Sequence, residues 1–251
     1  MGTSSSSIEE NVQRVCERIA RAAARAGRRA EEITLVAVSK TQSAEAIREA
    51  WGAGVRHFGE NRVQEWEAKQ AALADLDATW HLIGHLQSNK ARRAAGLFHS
   101  VDSVDSVALA QKLDAARAEV KSAGSGGRLR VLLEVRASLE ETKTGIDEVD
   151  LPGLAEAVIA LPHIELRGLL CIPPFFENAE MARPYFRRLR EARDSLREQL
   201  AASDPQFDAS SGGSLLRELS MGMSHDFEVA IEEGATEVRV GTALFGARKA
   251  N

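Results

Sequence analysis

The chain has 251 residues, 44% of them hydrophobic and 27% charged, so it can bury a full core and has the usual length of one α/β barrel. Its formal net charge of -5 gives no overall positive field for a phosphate backbone, which argues against nucleic-acid binding. With only two cysteines and no apolar run long enough to cross a membrane, we expect a cytoplasmic protein without a disulfide framework.

The predicted elements alternate between helices and strands along the chain. An amphipathic helix over Ile8 to Gly27 comes first, with apolar residues three and four apart. Eight short apolar runs then predict strands, and segments with helical stripes separate them. The predicted strands are Ile33 to Val38, Val55 to Phe58, Trp80 to Leu86, Leu97 to Val101, Leu129 to Val135, Ile164 to Ile172, Leu219 to Met223 and Val238 to Phe245. The clearest helices between them are Ala44 to Ala53, Val104 to Ala123, Gly153 to Leu161 and Ala179 to Leu200.

This alternation predicts an α/β fold with a parallel sheet. The strands are almost continuously apolar, which indicates a sheet covered on both faces. Eight such units in a chain of this length favour a single (β/α)8 barrel with an extra N-terminal helix, forming one domain over residues 1–251. An open, doubly wound sheet is the alternative.

Lys40 directly follows the first predicted strand. The carboxyl ends of the strands build the active site of a parallel barrel, so a polar residue at that point is informative. Burial among apolar side chains favours the neutral, nucleophilic form of a lysine amine, which can form an imine. A solvated loop lysine is the other interpretation, and position alone does not exclude it.

The last two predicted strands carry residues suited to phosphate. Loops after strands 7 and 8 of such barrels often bind phosphate, and here they offer hydroxyl groups and glycines that let backbone amides approach. These residues are Ser220, Gly222, Ser224, Gly241 and Thr242. Arg239 shares the inward side of strand 8 with Gly241, so we expect it to meet either a carboxylate or an electron-rich ligand atom.

The histidines do not predict a metal site. His81 and His85 are four residues apart, which in a strand separates them by roughly 13 Å, too far to share an ion. No other histidine has a cysteine or second histidine at ligand spacing. The others are His57, His99, His163 and His225.

Seven motifs, in order and spread over nearly the whole chain, resemble the pyridoxal phosphate homeostasis proteins, whose barrel is similar to the N-terminal domain of alanine racemase. The motifs are LVAVSKT (Leu35 to Thr41), HFGENRVQE (His57 to Glu65), WHLIGHLQSNK (Trp80 to Lys90), ETKTG (Glu141 to Gly145), LRGLLCIP (Leu166 to Pro173), SMGMSHDFEVAI (Ser220 to Ile231) and VRVGTALFG (Val238 to Gly246). The resemblance implies a fold-type III barrel that binds pyridoxal 5'-phosphate (PLP).

The resemblance also implies roles for individual residues. Lys40 would form the Schiff base, Asn61 would line the cofactor pocket, and Arg239 would face the pyridine nitrogen. The phosphate would be held by the side chains or backbone of Ser220, Met221, Gly222, Ser224, Gly241 and Thr242. Two residues depart from the family's pattern: Arg62 replaces an aromatic residue and Arg136 replaces a frequent asparagine, so we expect a more positive pocket mouth.

The function implied is a carrier that takes up PLP, releases it by transimination at Lys40 and passes it to PLP-dependent apo-enzymes. We expect a monomer, because too little apolar surface can be assigned to the outer helices for a dimer interface. A PLP-dependent amino-acid racemase is the alternative, and an aldolase-type barrel without cofactor is a third. Racemisation needs a second acid/base, which in alanine racemases is a tyrosine from a C-terminal domain. We expect no such domain here, and the chain's single tyrosine, Tyr185, falls in a predicted outer helix.

Overall fold

Eight parallel strands close into a barrel in the computed structural model, which describes residues 7–122, 127–137, 144–203 and 215–246. The strands follow chain order around the barrel, and β1 pairs with β8 to close it. They are β1 (Thr34–Val38), β2 (His57–Glu60), β3 (Thr79–Leu82), β4 (Ser100–Val104), β5 (Leu129–Glu134), β6 (Ile164–Leu170), β7 (Glu218–Met223) and β8 (Glu237–Val240). The predicted barrel is confirmed, and the open sheet is wrong.

Helices surround the barrel, and the described residues contain nine of them. They are α1 (Ile8–Arg25), α2 (Ala44–Gly52), α3 (Val63–Lys69), α4 (Ala91–Leu97), α5 (Val107–Ser122), α6 (Leu151–Ile159), α7 (Arg183–Ser203), α8 (Phe227–Glu232) and α9 (Thr242–Phe245). Across the described ranges, no helix is both long enough and apolar enough to cross a membrane.

The extra N-terminal helix, α1, is fixed at both its start and its face. Ser7 caps it through a capping box, in which the Ser7 hydroxyl accepts from the Glu10 amide and the Glu10 carboxylate accepts from the Ser7 amide. The side chain of Asn11 donates to the carbonyl of Leu244 over 2.8 Å. This bond ties α1 to α9, next to the end of the last strand.

The last predicted strand is wrong in its second half. β8 ends at Val240, and the apolar residues that follow form the short helix α9. Gly241 caps this helix, because its carbonyl accepts from the amides of Leu244 and Phe245 at 2.9 and 3.0 Å. The chain therefore turns directly after Gly241 and leaves Thr242 at the helix start.

Strand alternation decides which side chains face the barrel axis. Trp80 in β3 stacks on Trp66 of α3 at 3.8 Å and on Phe58 of β2 at 5.1 Å, so these two strand residues point outward to the helices. Their neighbours Gly59 and His81, which are level in the β2–β3 pairing, therefore point into the barrel. The interior thus contains polar groups as well as apolar ones.

Candidate functional site

Lys40 lies in a tight turn immediately after β1 and is half-buried. The amide of Gln42 donates to the carbonyl of Ser39 over 3.0 Å, which closes the turn. Thr41 has a φ of 64°, a left-handed conformation that is costly for a β-branched residue. The carboxylate of Glu65 on α3 accepts from the Thr41 amide and stabilises this conformation. Lys40 is therefore carried by a constrained turn.

A buried carboxylate supports the same turn from behind. Glu60, at the end of β2, accepts from the Ser39 hydroxyl at 2.7 Å and from the Lys69 amine at 2.8 Å. Lys69 also donates to the carbonyl of Ser39 at 3.1 Å. Burial raises the pKa of the Glu60 carboxyl, and the Lys69 charge opposes that shift. The sequence does not single out Lys69, because α3 is too short for a clear periodic pattern.

The loops after β7 and β8 meet beside the end of β1. The β1–β8 register pairs Ala37 with Val240, and a Cβ atom on Gly241 would lie 3.4 Å from the Cβ of Val38. Thr242, which begins α9, is exposed. The residues that follow β1 and those that follow β8 therefore share one side of the barrel mouth.

Ser224 joins the two phosphate-type loops. Its hydroxyl accepts from the amides of Gly241 at 3.2 Å and Ala243 at 3.3 Å. Gly222 has a φ of 92°, and a Cβ there would lie 2.6 Å from the Cβ of Ala230. Only glycine suits this position. Met221 lies in the apolar core, so it can offer only its backbone to a ligand.

Asn61 lies at the mouth of the barrel, directly after β2. Its backbone is in close contact with Gly84 in the loop after β3, where a side chain would not fit. Asn61 lines a cleft of about 430 Å³ together with His85 and Lys90. The structure therefore places Asn61 at the mouth, next to the turn after β1 and on its other side from the loops of β7 and β8.

Arg239 is buried, with 4% of its surface exposed. Its Nη1 donates to the Ser220 hydroxyl at 2.7 Å and its Nη2 to the carbonyl of Cys171 at 2.8 Å. Ser220 in turn donates to Oε1 of Glu237 at 2.6 Å. The sequence left open whether Arg239 meets a carboxylate or a ligand atom. The structure shows a carboxylate, that of Glu237, which Arg239 reaches through the Ser220 hydroxyl. Direct contact between the Ser220 hydroxyl and a phosphate would break this arrangement.

His81 continues the polar chain deeper in the barrel. Its Nδ1 lies 2.9 Å from Oδ2 of Asp102, and its Nε2 lies 3.0 Å from Nδ1 of His57. Ser100 donates to the other oxygen of Asp102. Glu237 is also close, with Oε2 lying 3.9 Å from Nδ1 of His81.

The charges of this group follow from its surroundings. Burial alone would lower the pKa of His81, but the carboxylates of Asp102 and Glu237 outweigh it and raise the pKa to about 9. Burial and the His81 charge lower the pKa of His57 to about 4. A doubly protonated His81 can therefore donate to Asp102 and to a neutral His57.

Residue spacing along the chain does not reveal this cluster, because its members come from three strands. The ligand atoms of His81, Asp102 and Glu237 lie within 4.8 Å of one another, close enough to hold a metal ion. Protons on His81 and the serine hydroxyls already satisfy these atoms through hydrogen bonds. The expectation that no metal is bound stays a prediction.

Comparisons with known proteins give the family. The family model for the N-terminal domain of alanine racemase matches residues 11–249. The pyridoxal phosphate homeostasis protein of Pseudomonas aeruginosa is 48% identical over 97% of this chain and 96% of its own length. That of Aquifex aeolicus is 45% identical over 96% and 98%. The chain belongs to the pyridoxal phosphate homeostasis protein family.

Solved structures agree with this family. PipY of Synechococcus elongatus, determined with PLP bound, is 42% identical, with a TM-score of 0.74 over 92% of this chain and all of that one. An alanine racemase of Clostridium difficile is 14% identical, with a TM-score of 0.66 over 96% of this chain and 58% of its own. The second likeness shows the fold alone, shared between the pyridoxal phosphate homeostasis proteins and a larger enzyme.

The two arginines that we expect to depart from the family's pattern lie at the mouth, after β2 and β5. Arg62 is exposed at the start of α3. Arg136 lies 3.2 Å from the Asp147 carboxylate, so the added positive charge there is largely balanced. Of the ETKTG motif, residues 141–143 lie outside the described residues, while the Thr144 hydroxyl donates to Glu134 over 2.6 Å.

Proposed function

We propose that this chain binds PLP at the carboxyl end of its barrel, shelters the aldehyde and passes it on. Lys40 holds the cofactor as a Schiff base, and the loops after β7 and β8 hold its phosphate. The observation that carries the proposal is the contact between Val38 and Gly241, which puts the lysine turn beside the phosphate-type loops. PipY was solved with PLP bound, which supports the choice of cofactor.

The chemistry of the donor set fits such a ligand. Lys40 offers a primary amine, and the mouth nearby offers the hydroxyls of Ser224 and Thr242, which suit a phosphate. The Ser224 oxygen accepts from the Gly241 amide, so its own proton is left to donate. Gly222 leaves no Cβ between the loop of β7 and α8. When PLP is bound, its aldehyde condenses with an amine and releases one water, so another amine can exchange with that of Lys40. This exchange is the proposed release step.

Arg239 supports binding rather than turnover. An arginine next to the pyridine nitrogen keeps that nitrogen unprotonated, which weakens the electron sink on which decarboxylation and transamination depend. The two hydrogen bonds of Arg239 use two of its five N–H groups, so donors remain for a ring nitrogen. The role of Arg239 is therefore to hold the ring.

The position of Tyr185 supports the same conclusion. It lies on α7, on the outside of the barrel, where its ring packs near Phe176 at 5.7 Å. We propose that this position on an outer helix does not supply the second acid/base that racemisation needs.

The alternative is an amino-acid racemase that uses the same bound cofactor. The shared fold with alanine racemase favours it, but at 14% identity that likeness carries no activity. The main proposal further holds that the protein acts as a monomer in the cytoplasm and that it transfers PLP to apo-enzymes there.

The two functions separate in a transfer experiment. The PLP-loaded protein is mixed with the apo-form of a PLP-dependent aminotransferase, and recovery of aminotransferase activity is followed over time. We expect faster recovery than release of PLP into buffer allows, and no racemisation of added L-alanine. Racemisation without transfer would reject the carrier and support the racemase.

A further inference from the structure

We infer that Ser220, Glu237 and His81 are positioning residues that hold Arg239 in place to face the pyridine nitrogen of the cofactor. This inference rests on the proposed function. It gives the Ser220 hydroxyl a role different from the phosphate contact that the sequence motif suggested. It also gives His81 and Glu237 a role in positioning Arg239, although no sequence motif had singled them out as functional.

The hydrogen bonds run in one direction from the arginine. Nη1 of Arg239 donates to Ser220 at 2.7 Å, and the single proton of the Ser220 hydroxyl then goes to Glu237 at 2.6 Å. A guanidinium can only donate, so the Ser220 oxygen must accept from Arg239, and the one hydroxyl proton is left for Glu237. The donor directions of Arg239 are thereby fixed.

The second carboxylate oxygen links this chain to the histidine. Oε2 of Glu237 lies 3.9 Å from Nδ1 of His81, which is itself hydrogen-bonded to Asp102 at 2.9 Å. Arg239, Glu237, His81 and Asp102 are all at most 4% exposed. Two basic and two acidic side chains thus alternate inside the barrel, and removing one leaves its buried partner without compensation.

Four strands contribute, which gives the arrangement its rigidity. β8 supplies Glu237 and Arg239, β7 supplies Ser220, β3 supplies His81 and β4 supplies Asp102. The carbonyl of Cys171, just after β6, holds the other terminal nitrogen of Arg239 at 2.8 Å. The guanidinium is thus hydrogen-bonded on two sides, and its orientation is set by the closed sheet rather than by a loop.

A pair of ligands separates this role from phosphate binding. PLP is compared with its analogue in which a C–H group replaces the ring nitrogen, and with pyridoxal, which has no phosphate. Dissociation constants are measured for the wild type, Ser220→Ala and Glu237→Gln. Ser103→Ala serves as the matched control, because this buried hydroxyl donates only to the carbonyl of Gly84 at 2.7 Å, outside the network.

We expect Ser220→Ala and Glu237→Gln to raise the dissociation constant of PLP roughly tenfold, and that of the C–H analogue less than about twofold. The difference arises because only PLP has a ring nitrogen that can accept from Arg239. Ser103→Ala should leave the ratio of the two constants unchanged. Urea unfolding of each variant confirms that it is folded at the assay temperature, and a variant that is not folded is replaced by Ser220→Cys.

Three results overturn the inference. If Ser220→Ala weakened the binding of PLP and of the C–H analogue equally but left that of pyridoxal unchanged, Ser220 would be a phosphate ligand. A wild type that binds PLP and the analogue equally would remove the ring nitrogen as the target of Arg239. Unchanged constants in both variants would make the network structural only. A wild type that binds no PLP would instead reject the proposed function.

Discussion

Val38 and Gly241 lie against each other at the mouth of the barrel, since a Cβ on Gly241 would be 3.4 Å from the Cβ of Val38. The contact follows from closure of the sheet, because β1 and β8 are adjacent only when the barrel is complete. Lys40 and Thr242 follow these two residues in the sequence. Closure therefore joins the first and last strands of the chain into one site.

Thr242→Ala should weaken PLP binding by about ten- to a hundredfold, because one charge-assisted hydrogen bond to phosphate is worth roughly 1.5–3 kcal/mol. Fluorescence or absorbance titration gives the dissociation constants. Thr242→Ser keeps the hydroxyl and should retain most of the affinity. The assignment is wrong if pyridoxal, which lacks the phosphate, loses as much affinity as PLP.

Gly222→Ala should destabilise the fold by about 2 kcal/mol or more, because φ at this position is 92° and the new methyl group would lie 2.6 Å from Ala230. Urea unfolding measures the change. Gly153→Ala is the matched control, since a Cβ at Gly153 on α6 meets nothing within 4 Å. Equal stabilities of the two variants would show that the loop of β7 relaxes freely.

The unfolding free energy should fall as pH rises from 7 to 9.5, partly through His81. Its pKa in the folded protein, about 9, lies above the ordinary 6.5, so its stabilising contribution is complete below about pH 6.5 and is lost as pH rises through 9. The shift corresponds to at most roughly 3 kcal/mol.

His81→Gln removes the titrating group and provides the comparison. Burial raises the pKa of Glu237 to about 7, so its ionisation also lowers the unfolding free energy as pH rises. This loss occurs mainly below pH 7. Urea unfolding of both proteins at pH 7, 8 and 9.5 should therefore show the steeper fall in the wild type. Parallel curves would contradict the charged state assigned to His81.

The PLP-loaded protein should show little racemase or decarboxylase turnover. Incubation with L-alanine in deuterium oxide, followed by NMR and chiral chromatography, measures α-proton exchange and chirality. Exchange above about 1 per second, absent in Lys40→Ala, would favour the racemase.

The sequence predicted the barrel because most strands contain a short apolar run that can be recognised locally. It placed β4 (Ser100–Val104) too early, over Leu97 to Val101, because the strand itself contains the polar residues Asp102 and Ser103. It missed α3 (Val63–Lys69) and α4 (Ala91–Leu97), each of seven residues, because two turns are too short for a periodic signal. It extended the last strand into α9, because the apolar run continues through Gly241 without a change in hydrophobicity.

The candidate site divides in the same way. Lys40 and Arg239 could be singled out because each breaks or ends an apolar run in the sequence. The group of His81, Asp102 and Glu237 could not, because its members are brought together only by the register of β3, β4 and β8 around the closed barrel. Likewise, only the structure shows the Ser220 hydroxyl between Arg239 and Glu237.

The central claim is that Lys40 forms the covalent bond to PLP, and reduction with borohydride tests it most directly. The PLP-loaded protein is reduced, digested and analysed by mass spectrometry, beside Lys40→Ala and the control Lys90→Ala. We expect the phosphopyridoxyl mass on the Lys40 peptide of the wild type and of Lys90→Ala, and no modified lysine in Lys40→Ala, which should remain folded. Modification of Lys69, Lys90 or Lys143 in place of Lys40 would contradict the account.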